Sequence, residues 1–137
     1  MKAATVAAID NKLPLMDSRK LALLCRELAD DKKAEDIVVL DVRKVSTVTD
    51  YFVIATGTSE PHLRAIMNEI SEGLHEQCAL KPHAVDGSLQ TAWLVLDYFD
   101  VIVHIMRPEV RQRYDLEGLW NDAAPVKPRK AARRTAG

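Results

Sequence analysis

The chain has 137 residues, of which 47% are hydrophobic and 28% charged, and its formal net charge is −1. This length fits one domain, and the composition is typical of a globular chain rather than a disordered one. No apolar run approaches the roughly 20 residues of a membrane helix. Residues 1–9 lack a signal-peptide cleavage pattern, so we expect a cytoplasmic protein without a membrane association. Cys25 and Cys78 fall on apolar helical faces, which predicts reduced core thiols.

The small net charge conceals an uneven distribution along the sequence. The last eleven residues contain five bases and no acid, which leaves 14 bases and 20 acids, a net charge of −6, for residues 1–126. An acidic body disfavours a nucleic-acid reader and suits a basic partner, although solubility alone would also account for it. The five bases are Lys127, Arg129, Lys130, Arg133 and Arg134.

The first half of the sequence predicts two helices and two strands. Apolar residues at three- and four-residue spacing predict a first helix over 18–33. Short β-branched runs at 37–40 and 51–55 predict two buried strands. A second helix is predicted over 59–78, with a proline in its first turn, where the missing N–H has no cost.

The second half predicts a hairpin and a short helix. Residues 81–90 are interpreted as a loop or frayed edge strand. The apolar runs 92–96 and 101–106 are separated by four residues, which predicts an antiparallel hairpin. A last short helix is predicted from 108 to about 120.

This order of elements predicts an α/β fold. Both helix–strand alternation and a hairpin are present, so we expect a mixed sheet of four to five strands flanked by helices. The folded domain is predicted over 18–120. Residues 1–17 are interpreted as a loose lead-in and residues 121–137 as a basic flexible tail.

The junction from Thr56 through Gly57 to Ser59 could hold an anion, because helix N-terminal amides point outward there. It lacks the lysine and the second glycine of a phosphate-binding loop. A nucleotidyltransferase would also place two acids one residue apart on a following strand to hold metal ions, whereas Asp97 and Asp100 are three apart across a turn. The pattern therefore disfavours catalysis at this junction.

Other catalytic and metal-binding patterns are also missing from the sequence. There is no nucleophile elbow, and neither cysteine has a histidine beside it in sequence. The histidines show no metal-ligand spacing. We therefore expect no enzyme activity, no cofactor and no bound metal. The four histidines are His62, His75, His83 and His104.

Polar and aromatic residues are concentrated around the predicted hairpin. Tryptophan and tyrosine are the types most enriched in binding hot spots, and carboxylates beside them would suit a basic partner. This predicts a protein-docking face, with a purely structural role for Trp93 and for the turn aspartates as the alternative. The residues within this stretch are Trp93, Asp97, Tyr98, Phe99, Asp100 and His104.

Four segments together resemble the Iojap family, the bacterial ribosomal silencing factors. They are DIVVLDV at 36–42, TDYFVIATGTS at 49–59, the tryptophan–aspartate hairpin at 93–104 and the closing segment at 113–120. The resemblance extends over residues 18–120. The sequence departs from the usual family pattern at Phe99, where the family has glycine, and at Asp86, where it has glutamate.

The resemblance implies a nucleotidyltransferase-like fold without catalytic residues, in a homodimer. It implies binding to the large ribosomal subunit through ribosomal protein fourteen of that subunit, which blocks joining of the small subunit and represses translation under nutrient limitation. Trp93 and Tyr98 are expected to supply contact area, and the aspartates to orient the partner. The contact residues implied are Trp93, Asp97, Tyr98, Asp100, His104, Tyr114, Leu119 and Trp120.

Three further hypotheses accompany this one. The basic tail could touch ribosomal RNA. Alternatively, the protein could be a nucleotide-binding or nucleotidyltransferase-type enzyme that uses the Gly57 turn. It could also be an adaptor for a partner outside the ribosome.

Overall fold

Helices and strands follow one another in the predicted order in a computed structural model that describes residues 17–120 and 123–126. The lead-in up to residue 16 and the tail from residue 127 lie outside the described residues. The elements are α1 (Ser18–Asp31), β1 (Glu35–Asp41), β2 (Tyr51–Thr56), α2 (Glu60–Cys78), β3 (Ala84–Ser88), β4 (Trp93–Asp97), β5 (Val101–Met106), α3 (Pro108–Tyr114), α4 (Leu116–Leu119) and β6 (Ala124–Pro125).

The strands form one mixed sheet in the order β3-β4-β5-β2-β1-β6. β2 and β5 are parallel, and the other neighbours are antiparallel. The β4–β5 hairpin is as predicted, and β2 is buried throughout as expected. β1 forms where predicted but is buried only at Val39 and Leu40. In the described part of the chain the sheet has six strands instead of the four to five expected, because the stretch before the hairpin forms the edge strand β3 and a short strand, β6, covers part of the opposite edge.

Strand β6 lies within the stretch that the sequence assigned to a flexible tail. Ala124 pairs with Asp41 and Pro125 with Leu40, and the Val126 amide donates to the Val39 carbonyl at 2.8 Å. Proline is tolerated on an edge strand, where its missing N–H breaks no ladder bond. The described chain therefore reaches Val126, six residues beyond the predicted boundary at residue 120.

Helices α1 and α2 cover one face of the sheet. Asp17 caps α1 by accepting from the Lys20 amide, and Ser59 caps α2 by accepting from the His62 amide. The two helices approach closely where Gly73 faces Leu28, since a β-carbon at Gly73 would lie 2.7 Å from a Leu28 methyl. The largest hydrophobic cluster fills this side of the sheet. It includes Cys25 and Cys78, which confirms that both are buried free thiols.

The other face of the sheet is covered in part by α3 and α4. The sequence predicted one helix here, but the chain breaks at Asp115, which has a φ of 47° and caps α4 by accepting from the Gly118 amide. A second, smaller cluster lies beneath these helices and is centred on Phe52, Ile54 and Val110. In the described part of the chain, none of the helices has the length and apolarity to cross a membrane.

Candidate docking surface

Five rings contact one another in a row across the face that α3 and α4 cover only in part. Tyr114 lies 5.0 Å from Trp93 between ring centroids, and Trp93 lies 5.9 Å from His104. Phe52 continues the row, at 5.4 Å from His104 and 5.2 Å from Trp120. We call this row the aromatic face.

Alternation along the strands places these side chains together. In β5, His104 lies between Val103 and Ile105, which point to the helix side, so its ring points to the opposite side. His104 pairs with Val95 of β4 on one side and with Ile54 of β2 on the other. Trp93 therefore reaches it from β4, because it lies two residues from Val95 on the same face of the sheet.

Trp93 and His104 are joined by a hydrogen bond. The indole N–H of Trp93 donates to Nδ1 of His104 at 3.0 Å. Burial lowers the pKa of His104 to about 4, so the imidazole is neutral at physiological pH. Because Nδ1 accepts, the proton of the neutral ring lies on Nε2. The pair makes a rigid platform, since each ring fixes the orientation of the other.

Exposed apolar groups border this platform. Tyr114 is 52% exposed and Leu119 is 73% exposed, and a groove of about 520 Å³ lies beside Trp93 and Tyr114. A large exposed leucine next to packed aromatic rings is typical of a surface that binds another protein.

Arg111 holds α3 and α4 in position beside the aromatic face. Its guanidinium donates to the Thr56 hydroxyl at 2.7 Å and to both carboxylate oxygens of Glu117 at 3.1 and 2.8 Å. The Arg111 side chain is only 10% exposed. Since Thr56 ends β2 and Glu117 lies in α4, this one side chain ties both short helices to the sheet.

Residues 97–100 form the hairpin tip, and its exposed residues are Phe99 and Asp100. Asp97 accepts from the Phe99 amide at 2.8 Å. Phe99 has a φ of 70°, is 61% exposed and stacks on His83 with ring centroids 4.1 Å apart. Burial and the neighbouring charge of Asp50 raise the pKa of Asp100. The tip is thus an acidic loop with an exposed aromatic ring.

Tyr98 does not belong to either surface, contrary to the expectation from sequence. It is only 6% exposed and packs in the cluster on the helix side of the sheet. Its hydroxyl is buried without a hydrogen-bond partner among residues 17–120 and 123–126, and burial raises its pKa. Tyr98 therefore offers almost no contact area to a partner.

The eight predicted contact residues thus separate into groups. Five of them lie at the aromatic face: the rings of Trp93, His104, Tyr114 and Trp120 belong to it, and Leu119 lies beside them. Asp97 and Asp100 lie at the hairpin tip. Trp93 and Asp97 are at opposite ends of β4, about 13 Å apart at roughly 3.3 Å per residue, so a partner that touches both must span the length of the strand.

The Gly57 turn is closed by its own neighbours. The Thr58 amide donates to Nδ1 of His62 at 2.9 Å, and the His62 amide donates to the Ser59 hydroxyl. A β-carbon at Gly57 would lie 2.8 Å from a Leu63 methyl, so any larger residue here would force the buried Leu63 side chain to shift. These contacts occupy amides that an anion would need.

The acids and the Gly57 turn do not share a site either. The Asp100 carbonyl accepts from the Asp50 and Tyr51 amides, which places Asp100 at the start of β2, whereas Gly57 follows the end of that strand. Within residues 17–120 and 123–126, no three metal-ligating side chains converge.

Two functional positions were not predicted from the sequence. Phe52 joins the two halves of the aromatic face, but β2 is hydrophobic at every position from Tyr51 to Ala55, so its sequence does not distinguish one face from the other. Arg111 binds Thr56 across 55 residues of chain, and no local pattern indicates such a pair.

The fold and this surface define a class of small α/β proteins in which two long helices cover one side of a mixed sheet, and two short helices and a row of aromatic rings lie on the other. The family model described as "Ribosomal silencing factor during starvation" matches residues 15–136. The match is longer than the stretch 18–120 recognised from motifs, and it includes most of the basic tail.

Individual relatives agree with this match. A ribosomal silencing factor from Halalkalibacterium halodurans is 36% identical over 111 residues, which cover 81% of this chain and 94% of the relative. A mouse protein named "Mitochondrial assembly of ribosomal large subunit protein 1" is 37% identical over 91 residues, or 65% of this chain and 40% of that protein. A crystal structure of a Chromobacterium violaceum protein superposes with a TM-score of 0.74 and 32% identity, covering 82% of this chain and 91% of the other.

The chain therefore belongs to the ribosomal silencing factor family, which confirms the resemblance drawn from its motifs. Members of this family are regulatory proteins of the ribosome rather than catalysts.

Proposed function

We propose that this protein binds the large ribosomal subunit through ribosomal protein fourteen of that subunit and sterically blocks joining of the small subunit. The observation that supports this best is the aromatic face, a preorganised surface with exposed apolar residues at its border, in a chain of this family. The name of the mouse relative, which refers to the large subunit, supports the choice of subunit.

The charge of the hairpin tip supports a basic partner. Asp97 and Asp100 lie there, with Asp50 close enough to affect the pKa of Asp100. A protein that sits on ribosomal RNA is rich in lysine and arginine, and opposite charges accelerate and orient docking. We infer that Trp93, Tyr114, Leu119 and Trp120 supply the contact area, while the aspartates orient the partner.

Several finer features complete the proposal. The protein acts in the cytoplasm as a homodimer, represses translation when nutrients are limiting, and has a nucleotidyltransferase-like fold that has no catalytic role. Its basic tail contacts ribosomal RNA near the docking site. The closed Gly57 turn supports the non-catalytic role, because amides that a nucleotide phosphate would need are already bonded.

The test replaces the most exposed residue of the docking surface. Leu119→Lys removes an apolar contact and adds a positive charge that opposes a basic partner. We expect at least a tenfold weaker affinity for purified large subunits, measured by co-sedimentation, which corresponds to about 1.4 kcal/mol. Inhibition of subunit joining should be lost in parallel.

Val85→Lys is the matched control. Val85 is 54% exposed and faces the helix side of the sheet in β3, so the same charge is added away from the docking surface. This variant should bind and inhibit like the wild type. Equal binding by Leu119→Lys and the wild type would refute the placement of the interface.

A further inference from the structure

Strand β6 directs the chain along the free edge of β1. The two strands are antiparallel, with Ala124 opposite Asp41 and Pro125 opposite Leu40. The Val126 amide then bonds to the Val39 carbonyl. Each further residue therefore brings the chain closer to Glu35, the first residue of β1.

An acidic cleft lies at that end of β1. It has a volume of about 550 Å³ and is bordered by the start of β1, the end of β2, α3 and α4. Among the residues that the structure describes, four carboxylates line it, against a single guanidinium, that of Arg111, whose donors are already bonded to Thr56 and Glu117. The carboxylates are those of Glu35, Asp36, Asp115 and Glu117.

Two of these carboxylates have no partner among the described residues. Glu35 and Asp36 are exposed, and neither makes an ion pair or a side-chain hydrogen bond within 17–120 and 123–126. Lys32 and Lys33 precede them on the turn after α1, but they do not line the cleft. The cleft therefore presents unpaired negative charge to any nearby base.

The residues that follow Val126 supply those bases at a matching distance. Lys127, Arg129 and Lys130 are the first, third and fourth residues after Val126. Four extended residues span about 13 Å, the same length as β1 from Val39 back to Glu35. Val126 packs on the helix side of the sheet, so a chain that continued extended beyond it would direct positions 127 and 129 toward α3 and α4.

We propose that residues 127–130 of the chain's own tail dock in this acidic cleft. Ion pairs of the side chains hold the segment, not an extension of the ladder, since Pro128 has no N–H to donate. β1 is also bulged between Glu35 and Val38, with Asp36 at a φ of 47°. The docked tail would cover an otherwise open sheet edge. This inference does not depend on the proposed ribosomal function.

Limited trypsin digestion of the full chain tests the proposal, because trypsin cuts after Arg129 and Lys130. The variant Glu35→Gln/Asp36→Asn removes the unpaired charges without creating a trypsin site, and asparagine tolerates the positive φ of position 36. We expect tail cleavage to become about three- to tenfold faster at low salt, a modest change because exposed ion pairs are individually weak. The difference should vanish near 1 M salt, where screening is nearly complete.

The control variant Glu72→Gln/Glu76→Gln removes two exposed carboxylates from α2 and should be cleaved like the wild type. Cleavage of the cleft variant at the wild-type rate would overturn the proposal. So would protection that increases with protein concentration, because that result indicates binding to a second copy.

A second measurement changes the tail and observes the cleft. In full-length Lys127→Gln/Arg129→Gln/Lys130→Gln, amide resonances in the NMR spectrum should shift at positions 35, 36, 115 and 117. Shifts confined to residues next to the substitutions would contradict docking, even if the proteolysis result could be attributed to a change in folding.

Discussion

His104 lies in the middle of the aromatic face, and its burial makes the stability of the protein depend on pH. Its pKa is lowered from 6.5 to about 4. Between these two values the unfolded state binds a proton that the folded state does not, so stability falls as the pH falls. At about 1.4 kcal/mol per pH unit, we expect a loss on the order of 3 kcal/mol between pH 6.5 and pH 4, measured by urea unfolding.

The variant His104→Gln isolates this contribution. Glutamine keeps an acceptor for the Trp93 indole but does not titrate, whereas every other titrating group is shared with the wild type. The free energy of unfolding of the variant should therefore change less over the same pH range. Identical pH profiles would show that His104 takes up its proton equally well in the folded state.

The hydroxyl of Tyr98 should be dispensable for stability, because it is buried and has no hydrogen-bond partner among the described residues. A buried unpaired hydroxyl costs about 1–3 kcal/mol. Tyr98→Phe should therefore leave the free energy of unfolding unchanged or raise it by about 1 kcal/mol, and large-subunit binding should not change. A clear loss of binding with an unchanged fold would return Tyr98 to the docking surface.

At the level of elements, the sequence predicted the bounds of those helices and strands that bury one side and expose the other, because their apolar residues recur at a regular spacing. The apolar spacing in α1 and α2, and the alternation in β5, predicted their bounds to within two residues. The break between α3 and α4 was not predicted, because it depends on a left-handed aspartate, a conformation that this residue type tolerates but does not require. Nor was β6, since two residues contain no periodicity and only the edge of β1 orders them.

The candidate site was also predictable only where a local pattern determines the direction of a side chain. Alternation correctly placed His104 on the side opposite Val103 and Ile105. It did not place Tyr98, which follows the end of β4, because the turn returns this side chain to the core. The contact of Arg111 with Thr56 arises only when α3 packs against the end of β2.

The contact between Arg111 and Thr56 predicts that replacing Arg111 lowers the stability of the protein substantially. Arg111→Met leaves the buried Thr56 hydroxyl and Glu117 without their donor, which should lower the free energy of unfolding by about 1–3 kcal/mol. Arg111→Lys should recover only part of this, because an ammonium cannot reproduce the fork of a guanidinium. Urea unfolding followed by tryptophan fluorescence would measure both.

The exposed Arg113, also in α3, provides the comparison. Arg113→Met removes the same charge without breaking a bond between elements, so its stability should match that of the wild type. If Arg111→Met were equally stable, the short helices would be held by apolar contacts alone.

For the whole molecule, the near-zero net charge is the sum of separate regions with different partners. Carboxylates occur at the hairpin tip and at the start of β1, whereas the last eleven residues are basic. Under the two proposals, the acidic tip faces a basic ribosomal protein, and the basic tail has two anionic sites available, its own cleft and ribosomal RNA. These sites compete for the same lysines and arginines.

This competition predicts opposite effects from two variants on large-subunit binding. Deletion of residues 127–137 should flatten the salt dependence of affinity, because each phosphate contact that is lost reduces the slope. Glu35→Gln/Asp36→Asn should instead steepen it and tighten binding at low salt, since the tail no longer has to leave the cleft. Combining both changes should reproduce the deletion alone. Co-sedimentation across a salt series measures all three, and a cleft variant that still binds more tightly without its tail would show that the cleft acts independently of the tail.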